Sequence, residues 1–202
     1  MKLVLASQSP RRRDLLGQMG LEFDIISPQI DEDSFSNDDP VALVRTLSRE
    51  KALAVAGTQD ADTLVIAADT VVVLDGKTLG KPGDSAEAEA MLASLSGRTH
   101  RVCTGVTLCC GGRAVTDAEI THVTFRSLSP GEIRGYVSTG EPMDKAGAYG
   151  IQGLGALLVE GIRGDYFNVV GLPVCRLGRM LADFGVDCLA REAGGGQASL
   201  PG

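Results

Sequence analysis

The sequence has few of the residues that identify several common kinds of protein. It contains no tryptophan, 4% aromatic residues and two histidines, His100 and His122, in 202 residues. Its five cysteines are odd in number and include no C-x-x-C pair, so the sequence indicates neither a disulfide framework nor a zinc site. The two histidines are too few and too far apart for a His-rich metal site, and we expect both to lie in strands.

The sequence also lacks the features that indicate membrane insertion, secretion or binding to polyanions, and it lacks two common nucleotide-binding motifs. No apolar run reaches 18 residues and the start does not resemble a signal peptide, so we expect a cytoplasmic protein that does not enter a membrane. A formal net charge of −7 argues against nonspecific binding to nucleic acid or to an anionic membrane, but it leaves room for a local basic pocket. Neither a P-loop nor a G-x-G-x-x-G fingerprint occurs.

The most unusual stretch is Leu64 to Leu74, which reads L-V-I-A-A-D-T-V-V-V-L. It is apolar and rich in β-branched residues except at Asp69 and Thr70, and it predicts a strand buried on both faces. A carboxylate inside such a strand is costly unless a cation or a hydrogen-bond donor meets it. Two interpretations follow. Either the strand ends at Asp69 and the pair forms a turn, or Asp69 faces a cleft and takes part in chemistry.

A basic helix start follows the first predicted strand, residues 2–6. Ser9 is a favourable N-cap, Pro10 suits the first helical position, and Gly20 closes the helix. Arginines in the first turn interact unfavourably with the helix dipole, so their presence at 11–13 indicates a role such as binding a phosphate. Free N–H groups and guanidinium groups together predict an anion site; the alternative is a solvated basic turn.

Three further charged segments are candidates for the same site. The acids at 31–33 either form a solvated loop or supply a carboxylate that joins Asp69 in holding a divalent cation. Lys51 lies on the inward stripe of a helix predicted from Pro40 to about Ala56, where it either reaches solvent or meets a buried anion. Lys81 is presented by a rigid loop rich in glycine and proline.

The rest of the chain predicts alternating helices and strands and ends in a tail. Capping boxes at Asp84 and Ser129 start two helices, and an apolar stripe from Val174 marks the last helix. Strands are predicted at 23–27, 101–108, 118–126 and 157–162, with a hairpin turn at 111–112. The sequence shows no repeat and no linker, so we expect one domain over 1–190 and a disordered tail at 191–202.

A glycine-rich segment at 144–153 is the second unusual stretch. Its glycines at 147, 150 and 153 disfavour a regular helix and permit close approach of the backbone to a ligand. Gln152 brings an amide that both donates and accepts, which suits the edge of a nucleotide base.

With these segments in order, the sequence resembles the Maf (septum formation-like) family of nucleoside triphosphate pyrophosphatases across about residues 3–186. The matching segments are L-A-S-Q-S-P-R-R at 5–12, D-E at 31–32, R-E-K-A at 49–52, A-A-D-T-V-V at 68–73, G-K-P at 80–82 and D-K-A-G-A-Y-G-I-Q-G at 144–153. The last segment resembles the branch of the family that hydrolyses dTTP and UTP.

The resemblance implies a mixed α/β fold, an elongated twisted sheet with helices on its faces and two lobes flanking a central cleft. It implies that Asp69 is the proton acceptor and that Arg12, Thr70 and Gln152 govern substrate choice. It places Ser7, Glu32, Lys51 and Lys81 around the triphosphate and its metal. Lys145 in the last segment and Arg11, which could exchange roles with Arg12 or Arg13, are further candidates for substrate binding.

The activity implied is hydrolysis of a nucleoside triphosphate to the monophosphate and pyrophosphate. A divalent cation, Mg²⁺ or Mn²⁺, held by Glu32 and Asp69 would neutralise phosphate charge while water attacks the α-phosphorus. Two alternatives stay open: a nucleotide-binding regulator of division or septation without relevant turnover, and a house-cleaning pyrophosphatase with another base preference. A homodimer would be in keeping with a small cytosolic enzyme.

Overall fold

The computed structural model describes residues Met1–Leu189, and one seven-stranded sheet organises them. The strands are β1 (Leu3–Ala6), β2 (Asp24–Ile25), β3 (Leu64–Leu74), β4 (Lys77–Leu79), β5 (Thr99–Cys110), β6 (Arg113–Phe125) and β7 (Val159–Arg163). The helices are α1 (Pro10–Gln18), α2 (Pro40–Ala56), α3 (Ser85–Leu95), α4 (Pro130–Ser138), α5 (Tyr166–Val170) and α6 (Val174–Ala182). Short 3₁₀ segments lie at Glu32–Ser34, Glu141–Asp144, Ala146–Ala148 and Gly153–Leu158.

Local chemistry sets the starts of the helices, as the sequence predicts. Ser9 Oγ accepts from the Arg12 N–H at the start of α1, and Asp39 caps α2. Ser129 forms the predicted capping box at α4. At α3, Asp84 accepts from the Glu87 N–H, whereas the Glu87 carboxylate accepts from Gly83 N–H and not from the capping residue itself. Each first turn thus has its free N–H groups partly satisfied.

The sheet mixes parallel and antiparallel pairs, which confirms the predicted mixed α/β class. Its strand order is β2-β1-β3-β5-β6-β7, with β4 also pairing to β3. The β1–β2 and β1–β3 pairs are parallel and all the others are antiparallel. One edge of β3 pairs with β5 from Val65 to Val73. On the opposite edge β1 pairs with 64–67 and β4 with 72–74, so within Met1–Leu189 residues 68–71 have no partner strand there.

The two faces of β3 are buried by different layers. Residues 65 and 67 pack with the Ala52 and Val55 side of α2, and Val73 packs with Val44 of the same helix. Residues 64, 66 and 68 pack with α1 and α6, whereas 72 and 74 pack with α3 and α4. The second face therefore carries two separate apolar clusters, one at each end of β3. These are the two lobes, and β3 runs through both.

Gly105 on β5 allows α2 to lie directly on the sheet. A Cβ at this position would stand 2.1 Å from the backbone oxygen of Val44. Gly105 is also the register partner of Asp69. The absence of a side chain here therefore sets how closely α2 approaches the middle of β3.

The structure differs from the sequence predictions mainly in the lengths of elements. β5 and β6 run longer than predicted, β2 has two residues, and neither β4 nor α5 was expected. His100 and His122 lie in β5 and β6, as predicted. The predicted tail at 191–202 lies outside the described residues. No helix between Met1 and Leu189 has both the length and the apolarity needed to cross a bilayer.

Candidate active site

A cavity of about 1170 Å³ opens where the edge of β3 is unpaired. Because that edge is free between β1 and β4, side chains from both faces of the strand reach the same space. All ten residues predicted for the site line it. They are Ser7, Arg11, Arg12, Glu32, Lys51, Asp69, Thr70, Lys81, Lys145 and Gln152.

Asp69 and Lys51 form a buried ion pair on the α2 side of the cavity. Lys51 Nζ lies 2.6 Å from Asp69 Oδ1 and 2.9 Å from Glu32 Oε1. The side chains of Lys51 and Asp69 are 8% and 9% exposed, whereas Glu32 is 55% exposed. The second Asp69 oxygen, Oδ2, has no hydrogen-bond partner within the described residues. It is also not fully buried. One oxygen is thus held by the ammonium and the other stays accessible from the cavity.

This geometry decides two of the alternatives that the sequence left open. Asp69 is in the middle of an unbroken strand, so the interpretation as a strand end followed by a turn is wrong. Lys51 meets a buried anion and does not extend to solvent. Among the acids at 31–33, Glu32 is the residue that pairs with Lys51.

Arg12 lies on the other side of β3 and is held by three partners. Its Nε donates to the Gly171 oxygen at 2.8 Å, Nη2 donates to Thr70 Oγ1 at 3.0 Å, and Nη1 donates to Ser7 Oγ at 3.5 Å. Desolvation by burial lowers the pKa of Arg12, and the negative charge of Asp69 opposes this shift. The guanidinium is therefore fixed in direction before any ligand arrives.

A chain of hydroxyl groups continues from Arg12 into the sheet. Thr70 Oγ1 lies 2.9 Å from Thr104 Oγ1, which donates to the Asn168 backbone oxygen at 3.2 Å. Arginine only donates and a carbonyl only accepts, so the Thr70 proton points to Thr104. Thr70 then offers the cavity a lone pair. Thr104 is not predicted as a site residue from the sequence, because there it resembles any other residue of an alternating strand.

The three consecutive arginines divide between the cavity and the surface. Arg11 Nη1 donates to Asp144 Oδ2 at 3.0 Å, and Lys145 Nζ donates to Asp144 Oδ1 at 2.6 Å. Burial raises the pKa of Asp144, but the hydrogen bonds from Lys145 and Arg11 outweigh it and lower the pKa overall. Arg13 pairs with Asp14 and does not line the cavity. Asp144, which was part of a matching segment but was not predicted as a site residue, thus holds two of the predicted cations.

Lys81 and Gln152 lie exposed at the rim. Neither side chain has a hydrogen-bond or ion-pair partner within the part of the chain that the structure describes. Lys81 follows β4, and Gln152 precedes the 3₁₀ segment at Gly153–Leu158. Both are therefore free to bind a ligand that enters the cavity.

The charges that line the cavity are balanced. Five basic side chains face five acidic ones, the latter being Glu32, Asp33, Asp69, Glu141 and Asp144. A nucleoside triphosphate brings about four negative charges, so the protein alone does not neutralise it. This balance leaves a role for an additional cation.

The donors present fit a magnesium-type ion. Within Met1–Leu189 no cluster of three or more His, Cys, Asp or Glu side chains could hold a metal. Mg²⁺ needs only one or two carboxylates and takes its other ligands from phosphates and water. Glu32 and Asp69, which meet at the same ammonium, supply such a pair of hard oxygen donors.

Comparisons with known proteins identify relatives along nearly the whole chain. The family model described as Maf-like protein matches residues 2–184. The chain is 56% identical to the dTTP/UTP pyrophosphatase of Moorella thermoacetica over 94% of this chain and 98% of that protein. It is 51% identical to the protein of the same name from Symbiobacterium thermophilum, over 96% and 99% of the two chains. Among solved structures, it is similar to a nucleoside-triphosphatase / dITP/XTP pyrophosphatase from Mycobacterium abscessus, with a TM-score of 0.45, 17% identity and coverage of 91% and 97%.

The family match spans nearly all of the described chain and includes every residue that lines the cavity. The alignments cover almost the whole length of these relatives, so the similarity is not confined to one motif. On this evidence the chain belongs to the Maf-like protein family.

Proposed function

We propose that this protein hydrolyses dTTP and UTP to the nucleoside monophosphate and pyrophosphate in the cavity beside β3. The observation that carries the proposal is Asp69, a carboxylate in the middle of a buried strand with one oxygen open to a cavity that five basic side chains also line. Relatives about half identical to this chain are named dTTP/UTP pyrophosphatase. The cavity, at about 1170 Å³, has room for a nucleotide together with water.

The basic side chains bind the triphosphate in this proposal. Arg12 is already oriented, Lys81 is free at the rim, and Arg11 and Lys145 are held near each other by Asp144. Guanidinium and ammonium groups form charge-assisted hydrogen bonds with phosphate oxygens, so their fixed directions favour one placement of the chain of phosphates.

Asp69 accepts the proton of the attacking water. Its Oδ1 is oriented by Lys51, which leaves Oδ2 to face the water. Lys51 keeps Asp69 in place through the packing of α2 on the sheet. A divalent cation at Glu32 and Asp69 would supply the positive charge that the balanced cavity lacks and would stabilise the leaving pyrophosphate.

Recognition of the base falls to the other side of β3. Gln152 can donate and accept at once, and Thr70 presents a lone pair because its proton points to Thr104. Uracil and thymine carry an N–H donor between two carbonyl acceptors, so an amide that accepts from this N–H can donate to a neighbouring carbonyl of the same base.

A nucleotide panel on the purified protein tests the proposal. Pyrophosphate release from dTTP, UTP, CTP and ITP is measured with Mg²⁺ or Mn²⁺, and dTTP and UTP are expected to be the preferred substrates. Asp69→Asn should abolish turnover while nucleotide still binds, because the amide keeps the size of the side chain but takes up no proton. Full activity of this variant would exclude Asp69 as the base. Tight binding of nucleotides by the wild type with no pyrophosphate release would instead favour the regulator.

A further inference from the structure

The side chain of Gln152 depends on its backbone for its position. It is exposed and has no hydrogen-bond partner within Met1–Leu189. A free amide that must read a base needs the segment that carries it to be held still. What holds residues 150–155 therefore decides where Gln152 points.

Two side chains outside this segment hold both of its ends. The Tyr136 hydroxyl accepts from the Gly150 N–H at 3.2 Å. The Glu141 carboxylate accepts from the Leu154 N–H at 3.1 Å and from the Gly155 N–H at 3.0 Å. The Tyr136 hydroxyl itself donates to Glu141 at 2.9 Å, so the two holding groups are joined.

The glycines of the segment are fitted to this arrangement. A Cβ on Gly153, which has φ of 65°, would lie 2.9 Å from Glu141 Oε2. A Cβ on Gly155 would lie 2.7 Å from the Tyr136 hydroxyl and 2.0 Å from the Gly150 oxygen. The backbone thus closes directly over the carboxylate and the phenol. We call Tyr136 and Glu141 the loop clamp.

The charge of Glu141 is part of the clamp. Burial raises the pKa of Glu141, but the hydrogen bonds from Gly155 N–H, Tyr136 and Leu154 N–H outweigh it and lower the pKa overall. Hydrogen bonds to an ionised carboxylate are stronger than those to a neutral amide. At the same time Lys145 Nζ donates to the backbone oxygen of Glu141, a contact that does not involve the carboxylate.

We propose that the loop clamp is a pair of positioning residues for base discrimination: Glu141 and Tyr136 fix residues 150–155 so that the Gln152 amide meets the base. The proposal rests on the proposed function, because it takes a pyrimidine nucleotide as the substrate. Neither clamp residue needs to touch the reacting phosphate. Their effect reaches the substrate through Gln152.

Glu141→Gln tests the proposal because it keeps the size of the side chain and removes the charge. An amide has one oxygen, so it cannot accept from the Leu154 N–H, the Gly155 N–H and the Tyr136 hydroxyl as the two carboxylate oxygens do. We expect the ratio of kcat/KM for UTP to that for CTP to fall about tenfold, mostly through KM for UTP. Inhibition by tripolyphosphate, which has no base, should stay within twofold of the wild type, since the Lys145 contact is unchanged.

Two further variants separate positioning from general stability. Glu132→Gln is the matched control, since the Glu132 carboxylate also accepts from a backbone N–H and a hydroxyl but lies outside the cavity. It should leave the UTP/CTP ratio unchanged. In a Gln152→Ala background, adding Glu141→Gln should lower the ratio no further, because the amide that the clamp positions is gone.

The outcomes of this experiment are distinct. A wild-type protein that hydrolyses no pyrimidine triphosphate contradicts the proposed function itself. The clamp is refuted if the wild type discriminates between UTP and CTP but Glu141→Gln leaves the UTP/CTP ratio unchanged. It is also refuted if Glu141→Gln lowers this ratio as much in the Gln152→Ala background as in the wild type. Should Glu141→Gln fail to fold, Tyr136→Phe, which removes the single acceptor of Gly150 N–H, is judged by the same ratio and the same background.

Discussion

Replacing Lys51 by methionine gives the sharpest test of the buried ion pair. Methionine keeps the length and the apolar stem of the side chain, but it leaves Asp69 without its cation at a position where 9% of the side chain is exposed. Breaking a buried pair by removing one partner costs about 3–5 kcal/mol of unfolding free energy. Because neither member is more than a tenth exposed, solvent screening does not reduce this figure much.

Glu32 provides the internal control for that magnitude. It bonds the same ammonium at 2.9 Å, but its side chain is 55% exposed, so Glu32→Gln should cost no more than about 1 kcal/mol. The double variant Lys51→Met/Asp69→Asn should recover part of the loss, because no uncompensated buried charge remains.

Urea unfolding at neutral pH measures these differences, and thermal unfolding checks them. For a chain of this size a loss of about 3–5 kcal/mol corresponds to about 6–20 °C in Tm. A Lys51→Met variant within 1 kcal/mol of the wild type would refute the reasoning, since it would show that Asp69 finds another partner or enough water. A double variant with an unfolding free energy no higher than that of Lys51→Met would also contradict it.

Two other predictions concern stability. Burial lowers the pKa of His100 to about 4, below its value in an unfolded chain, so stability should fall by about 3 kcal/mol as pH drops from 6.5 to 4. His100→Phe should flatten that part of the urea-derived pH profile; parallel profiles would contradict the shift. Gly105→Ala should destabilise the fold by more than about 1–3 kcal/mol, because its Cβ meets the rigid backbone at Val44. Gly135 lies on α4, where an added Cβ would have no neighbour within 4 Å, so Gly135→Ala should not destabilise the fold. Equal effects of the two glycine substitutions would refute the argument.

The sequence predicts best what is decided by neighbours in the chain. Pro10, Pro40 and Pro130 each begin a helix behind a capping side chain, and the structure starts those helices there. The hairpin turn at 111–112 is likewise local, since both glycines have positive φ. α5 and β4 were missed because five and three residues carry too little periodicity to be recognised.

Partner choice between distant residues could not be predicted from spacing. Successive arginines on a helix point about 100° apart, but only the packing of α1 decides that Arg13 faces away from the cavity. Lys51 was equally compatible with solvent and with an anion until α2 was placed on the sheet. All ten predicted site residues lie in segments that carry the family resemblance, and all ten line the cavity. Thr104, Asp144 and Glu141, which position several of them, were not predicted. For Glu141 the available signal was an acid followed by proline just before the glycine-rich segment.

The unpaired stretch of β3 ties the width of the cavity entrance to the lengths of two short strands. β1 stops pairing at Ala6 and β4 at Leu79, and the chain turns away from the sheet at both points. Ser7 and the Gly80–Lys81 loop, which follow those ends, both line the cavity. One more ladder step on either strand would narrow the entrance by about 3.3 Å, roughly the thickness of a stacked base. The lengths of β1 and β4 therefore set the width of the opening beside Asp69.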